Sequence, residues 1–103
     1  MKQYHYLCGK QIKMAKEIFK LILSNRAEDF FDSIPIGAAN KINYNIYRIV
    51  RGEKNSELFK KLDNSEIWEF RTLYNKIAYR LFAFWDKEEE TLVIATHGII
   101  KKT

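Results

Sequence analysis

Two arginines and a glutamate stand where strand register brings them together. Residues 67–74 alternate, with Trp68 and Phe70 on one side and Glu69 and Arg71 on the other, and residues 77–85 form a second, strongly aromatic run. Alternation of this kind marks half-buried β-strands. Asn75-Lys76 between the runs predicts a two-residue turn, because Asn tolerates positive φ, although a second-position Gly is the stronger signal. With that turn, Arg71 falls directly opposite Arg80, and Glu69 falls opposite Phe82 on the same face. Like charges facing each other across a strand pair are destabilising, so an anion must offset them. A phosphate is one such anion, since planar guanidinium forks match its oxygens. A structural salt bridge to Glu69 is the other, and the pattern leaves both open. A turn one residue longer or shorter would put the arginines on opposite faces.

Other residues with chemical potential are fewer. His97 ends an apolar stretch just before Gly98 and either reaches a sheet rim or serves structure, while His5 lies in an ambiguous amino-terminal region. Without two histidines in one place, histidine-pair ribonuclease chemistry lacks support. Cys8 is the single cysteine, so it forms no internal disulfide and no zinc site. No Gly-rich phosphate loop, metal-ligand spacing or nucleophile elbow occurs, so no cofactor or metal is expected. Trp68, Phe70, Tyr79 and Phe84 are of a type that stacks on bases, with core packing the default role.

Charge adds a direction. Eighteen Lys and Arg against thirteen Asp and Glu leave a net +5 over 103 residues, which favours polyanionic partners as well as solubility. The positive charge concentrates in Lys41, Arg48, Arg51, Lys54, Lys60 and Lys61, opposed only by Glu53 and Glu57, and again in Lys101 and Lys102. Acid gathers in Asp86, Glu88, Glu89 and Glu90, read as a solvated hairpin loop. There is no apolar stretch long enough for a membrane span or a signal peptide, so a cytoplasmic protein without membrane partners is expected.

The elements that must position these groups follow from periodicity. Phe19 to Leu23 reads as a short strand or as part of a helix beginning near Ile12. Asn25 is a candidate cap for a helix carrying Ala27, Phe30, Phe31 and Ile34, which Pro35 must end. Ala38, Ile42, Ile46, Ile49 and Val50 make the apolar stripe of a second helix, stopped at Gly52. Leu58, Phe59 and Leu62 anchor a connector. The two strands of the Asn75-Lys76 hairpin follow, and Leu92 to Ile100 reads as a third continuous strand. The order predicts an α+β domain, a helix hairpin packed on an antiparallel sheet of three to four strands. Residues 1–18 read as an amino-terminal extension and residues 19–103 as the domain.

Three segments together carry a family resemblance: Trp68-Glu69-Phe70-Arg71, Tyr79-Arg80-Leu81-Phe82, and His97-Gly98-Ile99-Ile100-Lys101-Lys102-Thr103. In order and spacing they resemble the RelE/HigB superfamily of bacterial toxins, in particular its phage-derived Gp49-like branch, from about Phe19 to Thr103. The resemblance implies a RelE-like, microbial-RNase-like fold and the toxin of a type II toxin–antitoxin pair. Its partners would be a cognate antitoxin, the ribosome and mRNA, which such toxins cut to leave a 2′,3′-cyclic phosphate. Carried over, Arg80 looks like the arginine that contacts the scissile phosphate. Arg71 matches the arginine of E-x-R, His97 the branch's H-G position, and Lys101 and Lys102 the basic residues that contact RNA. Glu69 stands where some relatives carry lysine; it is a candidate base, with His97 the candidate acid. Arg48, Arg51, Lys54, Lys60 and Lys61 would grip RNA phosphates. Family chains usually continue past K-K-T into a further segment and helix, which this sequence lacks. The alternative is a binding-only relative, a ParE-like gyrase inhibitor or an inactive toxin that binds antitoxin.

Overall fold

A computed structural model describes residues 2–3, 19–88, 91–94 and 98–102. Among them the order is β1 (Lys2–Gln3), β2 (Lys20–Leu23), α1 (Asn25–Ser33), α2 (Ile36–Val50), β3 (Phe59–Lys61), β4 (Trp68–Tyr74), β5 (Ile77–Asp86), β6 (Thr91–Ile94) and β7 (Ile99–Lys102).

Local chemistry explains the helix ends. The Ser24 hydroxyl accepts the Ala27 N–H at 3.2 Å and caps α1. The cap is therefore Ser24, one residue before the expected Asn25, which is the first helical residue. Both are good capping types, and Ser24 has the extended backbone a cap requires. Pro35 holds Ile34 in extended conformation and so ends α1. α2 buries Ala38, Ile42, Ile46, Ile49 and Val50, as its stripe predicts, together with Asn43 and Asn45. Gly52 follows at φ 107° and donates its N–H to the Ile49 carbonyl, a stop that suits glycine.

β5 is the central strand. It pairs with β4 from Ile77 to Ala83, and on its other side first with β7 and then with β6. β2 runs parallel to β6, and β1 adds antiparallel to β2. The sheet is thus larger than the hairpin pattern suggests and carries one parallel pair. The segment read as one strand from Leu92 to Ile100 is two strands. Four residues separate Ile94 from Ile99, where only Leu81 and Phe82 lie opposite between Arg80 and Ala83.

The helices cover one face of the sheet. Phe70, Tyr79, Leu81 and Ala83 pack there with Leu21, Leu23, Phe30, Phe31 and the α2 stripe to form the core. Each fully buried Leu or Ile of this set stabilises by about 1.5–3 kcal/mol. Side chains of the alternate register, including Glu69, Arg71, Leu73, Arg80 and Ile99, lie on the other face. No helix among the described residues is long and apolar enough to cross a membrane.

Candidate functional site

The hairpin turn decides the site. Asn75 and Lys76 adopt φ 55° and 64°, the paired positive angles of a tight hairpin turn. Arg71 is consequently opposite Arg80, and Glu69 opposite Phe82, in the register expected. Glu69 is buried between the two cations. Its Oε1 lies 3.2 Å from Arg71 Nε and its Oε2 lies 3.8 Å from Arg80 Nη1. The Glu69 side chain is only 6% exposed, whereas Arg71 is 37% and Arg80 29% exposed. One carboxylate therefore tethers two guanidiniums without hiding them. The Arg80 contact is an ion pair beyond hydrogen-bond length, which leaves most of that fork's donors for another acceptor.

Both arginines open onto a cleft of about 570 Å³. It forms because β3 pairs with β4 only as far as Phe70, leaving the edge at Thr72–Tyr74 without a strand neighbour among the described residues. α2 supplies the opposite wall. Lys41 Nζ donates to the Leu73 carbonyl at 2.6 Å across that edge, and buried Asn45 Nδ2 donates to Thr72 Oγ1 at 3.1 Å. Arg48 completes the lining with four positive groups in all, Lys41, Arg48, Arg71 and Arg80. Glu57, exposed on the loop after α2, is the carboxylate that lines the cleft; Glu69 sits beneath it.

Arg48 is fastened as a fork. Its Nη2 and Nε donate to Glu53 Oε2 and Oε1 at 2.6 and 2.9 Å. That hydrogen bond holds the Glu53 carboxyl below the usual carboxylate range and raises Arg48 further. The remaining basic residues separate. Arg51 hydrogen-bonds the Tyr47 hydroxyl and stacks 4.8 Å from its ring centre, and Lys61 pairs with Glu66 at 3.3 Å. Lys60 is exposed, opposite Glu69 on β3, and Lys54 is exposed on the loop after α2. Lys101 is opposite Ala78, one rank along the open face from Arg80, while Lys102 holds the alternate register opposite Ile77. The structure thus gathers Glu69, Arg71, Arg80, Lys60 and Lys101 on one face and brings in Arg48 through the cleft. Arg51 and Lys61 are engaged elsewhere. His97 lies outside the described residues.

Sequence reasoning missed Glu57, Asn45 and Asn55 as lining residues and Lys41 as a strand-edge donor. No local signal marks them, since they meet β4 only through the packing of α2 and the 53–58 loop. Among the described residues no group of His, Cys, Asp and Glu could hold a metal ion. Several fixed donors around an open cleft suit a phosphodiester.

Comparison with known proteins agrees with this architecture. A chain of the crystal structure of the intact E. coli RelBE toxin–antitoxin complex superposes with a TM-score of 0.57 at 12% identity, over 81% of this chain and 94% of that one. At that identity the likeness is one of fold. No curated protein sequence matches the chain. The family model described as Phage derived protein Gp49-like matches residues 29–103, a span that runs from the second half of α1 through α2, the arginine hairpin and the closing strand. A match over that span settles the family, and the superposition gives its fold as RelE-like: the protein belongs to the phage-derived Gp49-like family.

Proposed function

We propose that the protein is the toxin of a type II toxin–antitoxin pair and a ribosome-dependent mRNA endoribonuclease. The observation that carries this reading is the Arg71–Arg80 pair, held by Glu69 yet open to the cleft. RNA supplies its own nucleophile. The 2′-hydroxyl oxygen bonds to phosphorus, the bond to the 5′-oxygen breaks, and a 2′,3′-cyclic phosphate remains. One proton must leave the 2′-oxygen and one must reach the departing 5′-oxygen.

The two guanidiniums bind the scissile phosphate and stabilise the charge that builds on its oxygens. Glu57 lines the cleft and is exposed, so it accepts the 2′-hydroxyl proton. Glu69, buried against both arginines, keeps their forks in place. His97 remains the acid candidate on its family motif. Lys101 and Lys60 extend the positive face along the RNA backbone. The ribosome orients the substrate, which places the activity in the cytoplasm, and a cognate antitoxin covers the same face between cycles.

One observation favours a second reading. Glu69 already offsets the arginine pair, as a purely structural bridge would, and this suits a binding-only relative such as a gyrase inhibitor or an inactive toxin. Induced expression in bacteria separates the two. Growth arrest with translation-dependent mRNA loss, abolished in a folded Arg80→Ala variant, supports the nuclease. Arrest with intact mRNA and DNA-damage signals contradicts it.

A further inference from the structure

A second cavity lies on the helix-covered face of the sheet, where α2 ends. It has a volume of about 630 Å³ and is walled by Phe19, Phe59, Trp68 and Trp85, with Ile49 from the last turn of α2. Register puts the indoles there. Trp68 is opposite Ala83, and Trp85 is the next residue of the same face on β5. Phe59 stacks on Trp68 with ring centres 4.7 Å apart, and Phe19 meets Trp85 edge-on at 5.0 Å. The rings therefore brace each other around an open space instead of filling it.

The mouth of this cavity is polar and adjoins the arginine cleft. Asn55 lines both cavities. Glu53 lines the aromatic one and grips Arg48, which lines the cleft. Lys54, exposed and without an ion pair among the described residues, stands at the same mouth. Of the polar side chains there, Asn55 accepts the Glu57 N–H at 2.9 Å and Glu53 is held by Arg48 at 2.6 Å, which leaves the short Ser56 hydroxyl as the uncharged polar group at the mouth. A ligand here is thus read by ring faces and by one cation, with little edge hydrogen bonding. Stacking of that kind accepts any base and suits single-stranded nucleic acid.

We propose that this aromatic cavity is the stacking subsite for one unpaired base of the RNA strand whose phosphates occupy the arginine cleft, with Lys54 on the adjoining phosphate. The proposal rests on the endoribonuclease reading and adds a contact that positions the strand through a base outside the reacting centre.

Both of the protein's tryptophans line the cavity, so their emission reports on it directly. The full chain is titrated at low salt with a short, end-labelled, single-stranded oligoribonucleotide, following label anisotropy and tryptophan emission together. Quenching that saturates with the anisotropy is expected. An oligonucleotide with abasic positions, which keeps the phosphates, should bind without quenching. Trp68→Ala should weaken binding roughly tenfold while leaving its salt dependence unchanged, because no phosphate contact is lost. The abasic comparison uses the unmodified protein and stands even if Trp68→Ala fails to fold. Anisotropy that rises with no change in emission overturns the subsite alone. Absence of any RNA binding, alongside absence of cleavage, overturns the subsite and the nuclease reading together. Emission that changes with protein concentration alone assigns the cavity to a second copy of the chain and also overturns the subsite.

Discussion

A Cβ added to Gly98 would stand 2.5 Å from the carbonyl oxygen of Arg80. It would also meet the Phe30 ring at 2.6 Å. Backbone cannot swing aside as a side-chain end can, so β5 or β7 must shift. Gly98→Ala should therefore destabilise by about 1–3 kcal/mol, the usual effect of overpacking, and lower RNA cleavage through a displaced Arg80. Denaturant unfolding checks the first part; unchanged stability would show that the close approach is relieved at no cost.

Glu69 should be needed for order more than for proton transfer. Breaking a buried ion pair destabilises by several kcal/mol, but the partner arginines are about a third exposed, so Glu69→Gln should lose about 1–2 kcal/mol. The variant leaves two facing guanidiniums without their carboxylate. Added sulfate should then raise its melting temperature more than that of the parent, because an anion binding only the folded state stabilises it. Equal sulfate effects would mean that the arginines do not form a shared anion site.

Glu57 carries the proton-transfer assignment. Glu57→Gln should reduce the cleavage rate by about 10²-fold or more, with RNA affinity and melting temperature unchanged, since the side chain is exposed and its loop is tied through the backbone and Asn55. Single-turnover kinetics on translating ribosomes separates rate from affinity.

The Arg48–Glu53 fork makes a pH prediction. Its hydrogen bond lowers the Glu53 carboxyl below its unfolded value, so near the carboxylate range the folded state binds fewer protons than the unfolded one, and stability rises with pH. The contribution is complete above the unfolded pKa, about 4.3 for Glu, and disappears as pH falls through the lowered folded value. Glu53→Gln should be less stable than the parent at neutral pH and equal to it in stronger acid, as read by unfolding at several pH values.

Much of the site is legible in the amino-acid sequence. Alternation in 67–74 and 77–85, with two residues of turn chemistry between, was enough to face Arg71 with Arg80, because strand register is a local consequence of the turn. The helix pair was legible for the same reason, from the Ala38–Val50 stripe and from Pro35. Non-local features were not. β2 pairs in parallel with β6 across some seventy residues, and nothing in either segment announces the other. That β6 and β7 pair with β5 as separate strands is set by the partner strand, with Gly98 in close approach to the Arg80 backbone. Ser24 and Asn25 are both good caps, and only the backbone angles choose between them. Glu57 and Asn55 come to line the arginine cleft through a loop whose path depends on α2 packing.

The proposed nuclease stands on guanidiniums from adjacent strands forming its phosphate-binding centre. Its most direct test is mRNA cleavage in a reconstituted translation system by the folded Arg71→Ala/Arg80→Ala double variant, beside the parent protein. The parent should make translation-dependent cuts ending in 2′,3′-cyclic phosphate, and the variant none. Cleavage by the variant at the parent's rate would contradict it.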